Sequence, residues 1–244
     1  MLINVPLNNE YTVMKKFLLI CFVCTFSVSS FSQHLLNNGT SFTNNLILNE
    51  LEKDAKKIRP VNTEFEGTPY LNPEFQEGEV ITLRGTFNPV NIRYNIYQDV
   101  MEFNLGGRNL YLDPSPLIKS IELDEQKFVV GDFPFKLSTV RGFLVELVAG
   151  EVSLYAKKNV SFREAQPPKA LESAAHLPKL VKLSDTYYIN RPNKDMVKVN
   201  SIKEIMLLLP YISTDLKKFV KAEKLSNKKI EDMVKLVSYI NTLE

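Results

Sequence analysis

Asp99 and Glu102, three residues apart in Gln98-Asp99-Val100-Met101-Glu102, are the acids whose type and spacing come nearest to a hydrolytic pair. Glycoside hydrolysis needs only two carboxyl groups across a cleft, one to protonate the leaving oxygen and one to attack or to activate water. Glu77 and Glu79 make a second candidate pair. Both pairs also sit where acids serve solvation alone, the first flanking a strand start and the second beside a turn glycine, Gly78.

Other chemistries have less to stand on. His34 and His176 are the two histidines, so a zinc site would have to lean on carboxylates. His176 lies in a linker beside Pro178, and no G-x-S-x-G nucleophile elbow accompanies it. No EF-hand loop offers oxygen ligands to calcium. Cys21 and Cys24 have the C-x-x-C spacing of a redox or metal pair, but both fall inside an apolar leader. No cofactor and no metal site is expected. Tyr94, Tyr97, Phe103 and Tyr111 would make either a platform for a sugar or peptide or a set of cross-strand core pairs, and their period-two placement favours the core. Asn38-Gly39-Thr40 and Asn159-Val160-Ser161 match the glycosylation triplet, which arises readily by chance in an Asn-rich chain.

The leader is residues 14–32. Lys15 and Lys16 precede the apolar run Phe17–Phe26, and Ser30-Phe31-Ser32 supplies small residues before a cleavage expected between Ser32 and Gln33. The apolar run is about half the ~20 residues a membrane-spanning helix needs. Met14 is the expected start, which makes residues 1–13 a mis-assigned upstream extension. Neither cysteine follows a small residue, as a lipidated one would, and the chain after the leader has no cysteine to form a disulfide. Those 212 residues carry 28 basic and 27 acidic side chains. Such near-neutrality argues against a nucleic-acid binder, which needs a basic stripe to displace counterions from phosphates.

These residues must be positioned by the elements that follow. After a polar N-terminus, Ile47, Leu51, Ala55 and Ile58 predict an amphipathic helix over 44–58, with Glu52 and Lys56 as an i,i+4 pair and Pro60 as its stop. From 61 to 199 the period changes to two. Strands are expected at 79–87, 91–97, 100–105, 109–112, 127–130, 143–148, 151–156, 159–162, 180–183, 186–189 and 196–199, with turns at Asn88-Pro89 and Gly106-Gly107. From residue 200 the period returns to 3.6, with Ser201 and Glu204 as a capping box, Pro210 as a stop, and Ser226 as N-cap of a third helix. Lysines 217, 218, 221, 224, 228, 229 and 235 read as the solvated face of this module.

The segments Phe65–Phe75 and Ile92–Phe103, with the Lys-rich helical tail, resemble a family of uncharacterised exported proteins of Gram-negative bacteria, from about residue 65 to the end. The resemblance implies export, an envelope setting and a shared fold, and carries over no functional residue. The expectation is an α+β protein: an antiparallel β-rich body, sandwich or open barrel, between an N-terminal helix and a C-terminal three-helix module. The expected role is non-enzymatic, a binding or interaction module in the periplasm, at the outer-membrane periphery or outside the cell, with an envelope protein or glycan as partner. The alternative is a carboxylate-dependent hydrolase of envelope glycans built on Asp99 and Glu102.

Overall fold

The computed structural model describes residues 51–53, 55–57, 64–165 and 177–243, all within the unit Glu50–Glu244. Strand β3 (Thr86–Asn95) shows the rule that builds the body: Val90, Ile92 and Tyr94 are buried while Asn91 is exposed, so one side of the pleat becomes core. The other strands are β1 (Lys56–Lys57), β2 (Gln76–Thr82), β4 (Val100–Leu105), β5 (Arg108–Leu112), β6 (Ile118–Leu123), β7 (Gln126–Phe135), β8 (Ser138–Val148), β9 (Ser153–Arg163), β10 (Lys179–Asn190) and β11 (Val197–Val199). They form a single antiparallel sheet in the order β1-β5-β4-β3-β2-β6-β7-β8-β9-β10-β11. Gly106 and Gly107 close the β4–β5 hairpin with φ of +56° and +78°, values glycine takes without a Cβ clash.

Several expected boundaries move, each for a local reason. Asn88-Pro89 lies inside β3, in the irregular stretch between the pairs Gly78↔Val90 and Val80↔Phe87, where a residue without an N–H costs no ladder bond. The chain turns instead at Leu83–Gly85, closed by Thr82 N–H donating to Gly85 O (2.9 Å). Strand β9 runs unbroken through Lys157-Lys158, and β10 through Ser184-Asp185, because Lys158 pairs with Asp185 across them (2.8 Å). Strand β6 escapes the sequence pattern because a register shift at Ile81/Thr82 breaks its alternation, burying both Ser120 and Ile121. Most of the helix expected over 44–58 lies outside the described residues. Leu51–Lys53 are helical, but Lys56–Lys57 pair with Tyr111 and Leu110 as a strand. Glu52 therefore binds Arg108 and Lys56 binds Asp113, rather than each other.

Three helices, α1 (Ile202–Leu208), α2 (Ser213–Ala222) and α3 (Ile230–Ile240), follow the last strand. Ile205, Leu216, Leu236 and Ile240 pack with Leu154 and Ile189 of the sheet and Val152 of the β8–β9 turn in one buried cluster. Ser201 caps α1 by accepting from Glu204 N–H (3.3 Å). Ser226 does not cap α3, which starts at Ile230 after Lys229. The loop before α3 serves α1 instead: Asn227 accepts from Ile202 N–H (2.9 Å) and Lys203 N–H (3.1 Å), satisfying donors that a helix start leaves orphaned. At the far end Asn241 Oδ1 accepts from Val152 N–H and its Nδ2 donates to Val152 O, both at 2.9 Å, tying the helical module to the β8–β9 turn. Among the described residues no helix is long and apolar enough to cross a membrane.

Candidate functional site

Asp99 follows β3 in the turn to β4, with φ +56°. Its Oδ1 accepts from Tyr94 OH (2.6 Å), from Lys157 Nζ (2.5 Å) and from Phe143 N–H (3.3 Å). Lys157 Nζ also donates to Tyr94 OH (3.0 Å) and to Phe143 O (3.1 Å), which uses all three directions an ammonium offers. Gly142 makes room, since a Cβ there would strike Asp99 Oδ2. Burial lowers the Lys157 pKa, with Asp99 pulling the other way. Burial, and next to it the Asp99 charge, raises the Tyr94 hydroxyl well above its usual range.

Glu102 answers a different cation. Its Oε2 accepts from Arg93 Nε (2.9 Å) and Nη2 (2.7 Å), and its Oε1 from Asn95 Nδ2 (2.8 Å). The Arg93 guanidinium lies between the Tyr70 and Phe75 rings, 3.7 and 4.3 Å from their centroids, and donates to Pro73 O (2.8 Å) and Tyr70 OH (2.8 Å). This clamps the segment before β2 onto the β3–β4 hairpin. Tyr94 and Arg93 are consecutive in β3, so their side chains, and the acids bound to them, occupy opposite faces of the sheet. The geometry does not set Asp99 and Glu102 across a common cleft, and each is neutralised in place.

Glu77 and Glu79 line an open groove of about 380 Å³ with Glu122, Asp124 and Glu125. Glu79 accepts from Asn88 Nδ2 (2.6 Å). Among the described residues no group of three or more His, Cys, Asp or Glu converges to hold a metal ion. Tyr94 and Phe103 are core residues. Tyr97 is half exposed, its ring 6.2 Å from that of Phe162. Asn159 turns its amide onto Ser184 O (3.0 Å) and Thr186 Oγ1 (3.0 Å) at the irregularity of β10. Ser32, Gln33, His34 and His176 lie outside the described residues.

The body leaves one element incompletely partnered. β7 pairs with β6 only up to Phe128, and β8 pairs with β9 only from Val145. Between these points β7 and β8 pair with each other alone, as a two-stranded arm. Phe143 turns its backbone toward Asp99 and Lys157, away from β7. By the two-residue alternation of an antiparallel ladder, Arg141 and Thr139 on β8 and Val130, Asp132 and Pro134 on β7 also point their backbone groups outward. The Asp99–Lys157 cluster thus supplies side-chain partners where β8 parts from β9.

Both arm edges are guarded. Pro134 offers no N–H, and its carbonyl accepts from Tyr188 OH (3.2 Å). Asp132 and Arg141 form a two-pronged ion pair (2.8 and 2.7 Å) across the ribbon. Phe133 is buried against Tyr188, with ring centroids 5.1 Å apart, and holds the arm down on β10. Beside it a cleft of about 290 Å³ opens among Val130, Asp132, Tyr155, Asn190, Lys194 and Asp195. Beyond Pro134 the support ends: Phe135 is 49% exposed and Leu137 fully so, with Lys136 between them at φ +53°. Sequence reasoning missed this apex. The available signal was Phe135-Lys136-Leu137 between Pro134 and Ser138, apolar side chains where a hairpin turn ordinarily carries polar ones.

No family model, no curated protein and no solved structure matches the chain.

Proposed function

We propose that this chain is an exported, non-enzymatic interaction module of the bacterial cell envelope, and that it docks through the apex of the β7–β8 arm. One observation carries the reading: Phe135 and Leu137 are exposed at the end of a ribbon whose strands, past Phe128 and before Val145, pair only with each other. Exposed apolar side chains grouped on one projection mark a contact site better than the same residues scattered singly. The leader at residues 14–32 motivates the envelope setting. The remaining sheet, curved as an open barrel or sandwich, serves as the frame that presents the arm. The glycan-hydrolase alternative draws no support from the acids nominated for it, since Asp99 and Glu102 are each bound to a buried or half-buried cation on opposite faces.

Capture from a bacterial envelope extract tests the proposal. Immobilised wild-type chain should retain envelope components that the double variant Phe135→Glu/Leu137→Glu does not, while both give the same circular dichroism. Equal retention by the two would remove the apex from the function.

A further inference from the structure

Resting on that docking reading, we infer that the apex Phe135-Lys136-Leu137 takes a lipid surface as its partner, dipping its two apolar side chains below anionic headgroups. A protein partner of ordinary stability buries roughly 800 Å² on each side. Three side chains at a hairpin tip fall well short of that, and Pro134 and the Asp132–Arg141 pair keep the arm from enlarging the contact by adding a strand. A bilayer sets no minimum area and needs no matching socket, so a small convex tip suits it. The charge agrees. Lys136 stands between the apolar pair with its ammonium 5.5 Å from the Phe135 ring centroid, and a lysine so placed can reach a phosphate headgroup while its stem follows the apolar side chains into the surface. Asp132 and Arg141, one step down the arm, cancel each other, so the apex presents a net cation.

Two side chains bury fewer carbons than a fatty acyl chain, so partitioning should be weaker than the roughly 10⁴ M⁻¹ of a single myristoyl group. Attachment is therefore reversible.

The chain contains no tryptophan, so Leu137→Trp places a single reporter at the apex. Titration with phosphatidylglycerol vesicles up to roughly 10 mM lipid should shift its emission to the blue, and phosphatidylcholine vesicles should do so more weakly. Adding Lys136→Gln should weaken binding to the anionic vesicles about fivefold, the value of one cation near such a surface. No blue shift with either vesicle overturns the lipid assignment. If envelope-extract capture still depends on Phe135 and Leu137 in that case, the docking reading stands with a protein as its target; if capture is independent of them as well, both fail.

Discussion

Asp99 with Lys157 and Asp132 with Arg141 pair the same kinds of group at two depths of one molecule. In the first, the ion-paired side chains are 24% and 11% exposed, and Asp99 Oδ1 and the Lys157 ammonium are each answered three times, with Tyr94 and the Phe143 backbone as the further partners. In the second they are 50% and 45% exposed and answer only each other. A buried charge is expensive unless it is paired, so the first cluster is committed to the fold. The exposed pair contributes little to stability, and two charges on a ribbon with free edges disfavour the addition of a further strand. Perturbed titration at Tyr94 and Lys157 and the left-handed backbone at Asp99 therefore mark architecture, while the proposed binding site lies at an apex with neither an acid pair nor a cavity.

The sharpest way to break this contrast is to remove a cation from each region. Lys157→Met leaves the Asp99 carboxylate and the Phe143 carbonyl facing a void of charge, and should lower the unfolding free energy by about 3–5 kcal/mol. Arg141→Met should leave the urea midpoint nearly unchanged, because both partners return to water. Comparable losses in the two variants, read by urea denaturation, would mean that the arm is as integral to stability as the body.

Asn241 offers an intermediate test, since it joins the helical module to the sheet by side chain alone. Asn241→Ala withdraws the partners of Val152 N–H and O, both part-buried, and should cost about 1–3 kcal/mol. The effect should appear as lost hydrogen-exchange protection in α3 and the β8–β9 turn, with the arm unaffected. Loss of protection at Phe135 as well would mean that the arm unfolds together with the module.

The body was the legible part of the sequence because its pairing is local. β4 falls on the expected 100–105, its hairpin to β5 turns at the expected glycines, and helices follow residue 200 as expected, with Met233, Leu236, Val237 and Ile240 buried on α3. What escaped depends on distant partners. Lys157 and Asp99 stand 58 residues apart, and nothing near either announces the other. Lys157-Lys158 looked like a break between two strands because unpaired lysines do not sit in a core, yet the sheet brings each an acid. The arm was cut short to 127–130 because Gly131, Asp132 and Pro134 all weaken an ordinary strand. Those same residues suit a ribbon without outer neighbours, where a proline on a free edge interrupts no ladder.

Alkaline titration pits the buried tyrosines against Lys157. Burial raises the hydroxyls of Tyr94, Tyr155 and Tyr188 above tyrosine's usual 10.0. Above that pH the unfolded chain gives up these protons while the folded chain keeps them, so their stabilisation is complete below pH 10.0 and is lost as pH climbs through the raised values. Lys157 acts in the opposite sense. Its folded pKa is depressed, so over the interval up to 10.5 the unfolded chain binds the extra proton, and stability gained there is present above 10.5 and lost as pH falls through the folded value. The urea midpoint should therefore hold or rise slightly on approach to pH 10 and fall beyond it, with Tyr94→Phe softening the fall. All the groups responsible lie in the body or at the foot of the arm, so the change in midpoint reports on the body.

The smallest structural effect is expected at the apex, on which the docking proposal rests. Phe135→Ser/Leu137→Ser removes side chains that touch water more than protein, so the melting temperature should stay within the scatter of surface substitutions. Phe133→Ser, two residues away on the same face of β7, deletes a buried ring packed at a tilt against Tyr188 and should destabilise by about 3–5 kcal/mol, as a large-to-small core change does. Both substitutions turn phenylalanine into serine on one strand, and support from β10 is the physical difference between them. If the apex variant melts like wild type yet no longer associates with anionic vesicles or envelope extract, binding and stability divide between Phe133 and Phe135. If it melts early, Phe135 and Leu137 are already covered by the molecule's own chain, and the arm would then be part of the core.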